Sequence, residues 1–187
     1  MKSVVSATIL LLVLFASVVC IDSPSEMLLP ASWKADIMFV YKTEVGATYH
    51  ASIFIDYESQ SAQLNYTTNG INIVVTQSAA TSAHGVTLLA SYAKNTGHWH
   101  CYASHDPYPI GLPRNILVKG STYIGEDLVD YQCVDVYLLD NGSRLYTECD
   151  SVMPVMLEYA EVVQYFSHFN APAPPITVPE TCVLHQP

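Results

Sequence analysis

Between residues 47 and 57 the chain alternates without a break. Ala47, Tyr49, Ala51, Ile53, Ile55 and Tyr57 are interleaved with Thr48, His50, Ser52, Phe54 and Asp56. A period of two places each set on its own face of a β-strand and is incompatible with the 3.6-residue period of a helix. The same pattern recurs on both sides. Ile37, Phe39 and Tyr41 alternate with Met38, Val40 and Lys42; Ala62, Leu64 and Tyr66 follow a turn at 58–61; Asn69-Gly70 marks a tight turn into a strand over 71–76. Val86, Leu88, Ala90 and Tyr92 form another run, and Trp99 and Cys101 continue on one face after a break at 95–97. A loop with three prolines covers 104–114, with a short helix expected at 115–118. Further on, Val129, Tyr131 and Cys133 alternate in what reads as one strand running to Leu139. Asp140-Asn141-Gly142-Ser143 is a hairpin turn with its return strand over 145–149, and another strand is expected over 155–159. Residues 161–169 suit either a strand or a helix. About nine short strands and no long helical pattern predict a mainly β fold: an antiparallel sandwich or a curled half-barrel, with at most one or two short helices.

The first 20 residues stand apart. Lys2 is followed by an almost wholly apolar run over 4–19, and Val18 and Cys20 suit cleavage before Ile21. This is the pattern of a secretory signal peptide, leaving 21–187 as a single β domain with no later stretch long and apolar enough to span a bilayer. The whole chain carries a net charge of -10, and cleavage would remove one lysine and no acid. So acidic a surface repels phosphate backbones, which argues against nucleic acid, and it suits cations, calcium among them. Of the five cysteines, Cys20 would leave with the signal. Cys101, Cys133, Cys149 and Cys182 remain, enough for two disulfides with three pairings open. Asn65-Tyr-Thr67 and Asn141-Gly-Ser143 are acceptor motifs for N-linked glycans.

Catalytic patterns are weak. His98 and His100 share a face at i, i+2 and are the only candidate metal ligands, with His105 nearby, but the bland alternative of two half-exposed histidines on a strand is favoured. A Cys–His nucleophile needs a free thiol, and all four mature cysteines are better used in pairs. There is no GxSxG. Glu126-Asp127 after Gly125 reads as a solvated corner rather than an acid–base pair. The remaining candidate is an apolar cavity. Tyr49, Ile53, Ile55, Tyr57, Leu64, Tyr66, Leu88 and Tyr92 would line the concave side of a curled sheet and bind a hydrophobic ligand, or else pack as ordinary core.

Several motifs in the second half lie in a fixed order: Leu112-Pro113-Arg114, Tyr123-Ile124-Gly125, Leu128-Val129-Asp130-Tyr131, Tyr146, Cys149 and Pro154-Val155, then Phe166, Phe169, Pro179 and Cys182. In this order the chain resembles ependymin-related proteins over roughly residues 30–182. The resemblance implies two stacked antiparallel sheets curled into a half-barrel similar to bacterial lipoprotein carriers. It also implies a hydrophobic ligand, calcium, homodimers, and residence in extracellular fluid or the lysosomal lumen. It assigns no cysteine pairing and no calcium ligand.

Three functions follow as expectations. The first is a secreted, non-enzymatic binder of a lipid or other hydrophobic small molecule. The second is a calcium-dependent matrix or cell-adhesion glycoprotein. The third, less favoured, is a metalloenzyme built on the histidines.

Overall fold

In the computed structural model of the chain, residues 27–43, 47–78, 86–93, 99–105, 111–177 and 184–185 are described. The expected signal peptide, His98 and Cys182 lie outside them. The strands are β1 (Ser32–Tyr41), β2 (Thr48–Asp56), β3 (Ser61–Thr68), β4 (Ile71–Ser78), β5 (Val86–Ala93) and β6 (Trp99–His105), then β7 (Ser121–Val129), β8 (Gln132–Leu139), β9 (Arg144–Glu148), β10 (Pro154–Glu158), β11 (Val162–Asn170) and β12 (Leu184–His185). All twelve lie in one sheet, in the order β12-β6-β5-β4-β3-β2-β1-β11-β10-β9-β8-β7. Two stacked sheets were expected; the strands instead form a single open sheet, neither closed nor strongly curled, with β12 and β7 at its edges. The meander explains this. β1 to β6 each pair with their neighbours in sequence, β7 to β11 do the same, and the antiparallel β1–β11 ladder joins the two runs side by side.

No helix forms among the described residues. The segment expected to be helical at 115–118 is a run of turns, held by the Ile116 amide donating to the Pro113 carbonyl at 3.1 Å and the Lys119 amide to the Asn115 carbonyl at 2.8 Å. Three more readings change. Residues 129–139 are not one strand: Asp130 and Tyr131 both take positive φ (49° and 67°), the geometry of a two-residue hairpin turn, and β7 and β8 pair across it. Gly125, Glu126 and Asp127 are therefore no corner but the middle of β7, where Gly125 at φ 136° takes up a register shift against β8. Residues 161–169 resolve as strand β11.

The two faces of the sheet differ. On one face lie Trp33, Ala35 and Ile37 of β1 and Ile53 and Ile55 of β2, all buried. The turn segment covers them with Leu112, Ile116 and Leu117, the lead-in adds Leu29, and Tyr137, Leu139, Leu145 and Leu157 complete the cluster. Gly111 enters this lid at φ 83°, and a Cβ there would overlap Ile55 Cδ1. A thin second core forms on the opposite face, where Val134, Val136 and Tyr146 pack with Val129, Val155 and Met156.

Trp33 sits at the middle of the main core, fully buried and stacked on Phe169 with ring centroids 5.0 Å apart. Its indole Nε1 donates to the Tyr57 hydroxyl at 3.3 Å, and that hydroxyl donates to the Leu112 carbonyl at 2.6 Å. The chain of bonds fastens β1 to the lid. Burial pushes Tyr57 up to about 12, against the opposing effects of the Trp33 bond and the Arg114 charge.

Cys133 and Cys149, at the ends of β8 and β9, are bonded with their Cα atoms 5.6 Å apart. A disulfide of this kind fits an oxidising, non-cytoplasmic compartment. At the other edge β12 pairs in parallel with β6, Leu184 opposite Cys101.

Two outcomes are expected. Peptide mapping under non-reducing conditions should recover Cys133 linked to Cys149; either cysteine alkylated as a free thiol would contradict the bond. Tyr57→Phe should lower stability in urea by roughly 1–3 kcal/mol, because the Leu112 carbonyl loses its donor and the Trp33 indole its acceptor. Since Tyr57 is raised above its ordinary value of 10.0, its contribution is complete below pH 10 and is lost as pH rises toward about 12. Wild type should thus lose its advantage over Tyr57→Phe only in that alkaline window.

Candidate functional site

The face opposite the main core carries an open trough of about 1350 Å³. Its floor follows from the register. Ser167, Asp36, Ser52, Asn65 and Val74 lie opposite one another across β11, β1, β2, β3 and β4. A second row alongside contains Tyr165, Met38 and His50, with the Thr67–Asn72 pair beyond. The β7–β8 turn contributes Val129, Asp130 and Gln132 as one wall, with Val155 beside them, and Trp99 of β6 stands at the other side. Beyond the Asn65 row the same face is closed by the C-terminal segment: Gln63 Nε2 donates to Thr76 Oγ1 and to the Thr177 carbonyl, each at 3.0 Å, and the Gln63 and Thr76 side chains are buried.

Charge in the trough centres on Asp36. Ser52 Oγ donates to its Oδ1 at 2.8 Å, and His168 Nδ1 lies 3.0 Å from its Oδ2. His168 reaches this face because β11 bulges. Lys34 pairs with Asn170 and Asp36 with Ser167, so His168 and Phe169 are accommodated across from a single residue, and His168 takes φ 50°. The bulge sends Phe169 into the core against Trp33 and His168 to Asp36. The Ser52 hydroxyl, ahead of the bond and charge of His168, holds the Asp36 carboxyl below the usual carboxylate range, while partial burial opposes it. The triad is not arranged for nucleophilic catalysis: Ser52 gives its proton to the carboxylate, and the hydrogen bonds place the acid, not the histidine, in the middle.

Asn65 Oδ1 is buried and accepts no hydrogen bond among the described residues. Asn141 differs. It sits exposed at the β8–β9 turn, and its Oδ1 accepts from the Ser143 amide at 3.0 Å. A smaller cleft of about 630 Å³ lies beside that turn. There Lys42 Nζ meets Glu158 Oε1 at 2.8 Å and Tyr146 donates to Oε2 at 3.1 Å, and the Lys42 bond leads in holding the Glu158 carboxyl down.

The structure divides the eight residues expected to bind ligand. Ile53 and Ile55 are buried in the main core, and Tyr57 and Leu64 pack against it. Tyr49 and Tyr66 border the trough, but the register sets them on the core side of their strands, in line with Ala51 and Leu64. Leu88 and Tyr92 lie on β5 opposite Thr76 and Asn72. Of the weak metal candidates, His100 is on β6 opposite Ser91. No group of three His, Cys, Asp or Glu side chains able to hold a metal occurs among the described residues. Asp36, Ser52 and His168 were not foreseen. The one available signal was a carboxylate at an alternate position of a largely apolar strand, and the bulge that brings His168 to it has no sequence mark.

The geometry defines a class: an open antiparallel sheet with one face filled and the other hollow. Among solved structures the chain is similar to an uncharacterized conserved protein from Thermus thermophilus, at 11% identity and TM-score 0.52, covering 87% of this chain and 94% of that one. At that identity the likeness shows the fold alone. Weaker similarity extends to MucB in its complex with MucA(peri), at 14% identity, TM-score 0.38, 84% of this chain and 57% of that one. It extends also to a LolA superfamily protein from Nitrosomonas europaea, at 9% identity, TM-score 0.36, 81% of this chain and 91% of that one. Scores this low bear on neither ligand nor function. No protein-family profile matches the chain, and no curated protein matches it either.

Ser52→Ala and His168→Ala should each raise the Asp36 titration toward its ordinary value of 3.8, because each removes a bond that favours the carboxylate. Carboxyl-carbon NMR of the two variants checks this; an unshifted titration in either would contradict it.

Proposed function

We propose that this protein is a secreted, non-enzymatic carrier that holds a hydrophobic or amphiphilic small molecule in the trough. One observation carries the reading: a hollow of about 1350 Å³ remains on one face of a sheet whose other face holds the main core. Its volume is above the usual range for small-molecule sites. The lining suits a ligand with two characters. Met38, Val40, Tyr165, Val155 and Val129 offer apolar surface, whereas Asp36, Ser52, Asn65 and Asn72 offer polar atoms. The resemblance to ependymin-related proteins points to the same class of ligand. On this reading the protein acts outside the cytoplasm, in extracellular fluid or the lysosomal lumen.

A second reading is favoured by the β7 edge. Tyr123, Ile124, Leu128 and Tyr131 are exposed on this edge strand and its turn, among Glu126, Asp127 and Asp130. An apolar, acidic edge suits protein contacts, such as a homodimer or calcium-dependent adhesion. Sedimentation with and without chelator separates the two, since only adhesion of this kind predicts a change.

The chain has two tryptophans: Trp99 lines the trough and Trp33 is buried in the opposite core. A long-chain alcohol brominated along its tail should therefore quench Trp99 and spare Trp33. Ser52→Tyr, which fills the floor, should weaken binding about tenfold or more, on the order of 1.4 kcal/mol. Equal quenching of both tryptophans, or unchanged affinity in Ser52→Tyr, would place the ligand elsewhere.

A further inference from the structure

The acceptor motif Asn65-Tyr66-Thr67 lies inside β3, and β3 lies inside the sheet. Ser52 of β2 and Val74 of β4 stand directly opposite Asn65 on either side. Both flanks of the strand are thus taken by hydrogen-bonded neighbours. The reverse face is taken by the main core, against which Leu64 packs. A group attached to the Asn65 side chain has one way out, through the trough that Asn65 lines. Its Oδ1 is buried and has no hydrogen-bond partner among the described residues.

We propose that an N-linked glycan on Asn65 lies in the trough, and that it and an apolar ligand exclude one another there. The trough has the chemistry to hold sugars. Asp36 and Asn72 supply acceptor atoms, and Trp99 and Tyr165 supply aromatic surface for pyranose rings. Asn141 is the internal contrast. Its motif occupies an exposed hairpin tip, its Oδ1 is already engaged by the Ser143 amide, and a glycan there runs into solvent. One molecule therefore carries a sheltered and an open acceptor site. Attachment at Asn65 precedes closure of the sheet, so the choice between a glycan-filled and a ligand-accepting trough is made as the chain is synthesised. The placement of the glycan stands on the geometry of β3; the exclusion of ligand rests on the reading of the trough given above.

The test uses the full chain secreted from eukaryotic cells. Peptide-N-glycosidase is applied to native and to denatured protein, and release at each site is followed by mass spectrometry of the peptides. From native protein the Asn141 glycan should be released at least about tenfold faster than the Asn65 glycan, with the difference abolished by denaturation, as expected for a site that opens only with the fold. Equal release from native protein, or an unmodified Asn65 in the secreted chain, overturns the placement. Exclusion is read separately by binding of the fluorophore 1-anilinonaphthalene-8-sulfonate. Asn141→Gln, a change at the exposed hairpin tip that leaves Asn65 as the remaining acceptor motif, should bind it about tenfold more tightly when made in cells with N-glycosylation blocked than when made without the block. Equal binding by the two preparations overturns the exclusion and leaves the placement to the release rates. Absence of binding in both preparations counts against the ligand reading and also overturns the exclusion.

Discussion

The fold depends on how Trp33 is held. Its ring is stacked on Phe169, and its indole nitrogen is fixed by a Tyr57 hydroxyl that in turn grips the lid carbonyl of Leu112. A wide open sheet has no second sheet to cover its apolar face, and exposing that face would forfeit on the order of 25 cal/mol per Å² of apolar surface. Here irregular chain does the covering. Residues 111–118 lie over β1 and β2, and the buried polar atoms that such a cover introduces are satisfied by Tyr57 and by Arg114, whose Nε donates to the Leu29 carbonyl at 3.0 Å. The lid and the lead-in are thereby pinned to each other and to the strand at the centre of the sheet.

The same constraint shapes the trough. Phe169 must face Trp33, and the bulge in β11 that permits this turns His168 onto the other face beside Asp36. With the cover committed to one face, the other is left hollow between the β7–β8 turn and Trp99, closed at one end by the contact of Gln63 with Thr177. Filled core and open trough are thus two consequences of one asymmetry, and the strands between them contribute alternate residues to each.

Much of the sheet was legible in the chain. The alternation over 47–57 and 62–66, Asn69-Gly70 and Asp140–Ser143 each correspond to an observed strand or turn, because period-two patterning and left-handed turn residues act locally. The β7–β8 turn was not legible: Asp130-Tyr131 adopts the two positive φ angles without a glycine, in the midst of an unbroken alternating pattern. The sheet's being single was equally hidden, since patterning says which face of a strand is buried and not what buries it. That limit also governs the site. Apolar alternation picks out Ile53 and Ile55, which are the best-buried residues of β2, whereas the trough beside them is built largely from the intervening polar positions, Ser52 and His50, and from Asp36, Asn65 and Asn72 on neighbouring strands. Polar residues on an outer strand face look like ordinary solvent contacts until the register brings them together.

The central claim, that the hollow face is a working site for a small molecule, is tested most directly by native mass spectrometry of the secreted protein followed by organic extraction. The account predicts a discrete added mass that is lost on denaturation and recovered in the extract as an amphiphile. A spectrum of the bare polypeptide and its glycans, with nothing in the extract, would contradict it and turn attention to the exposed β7 edge.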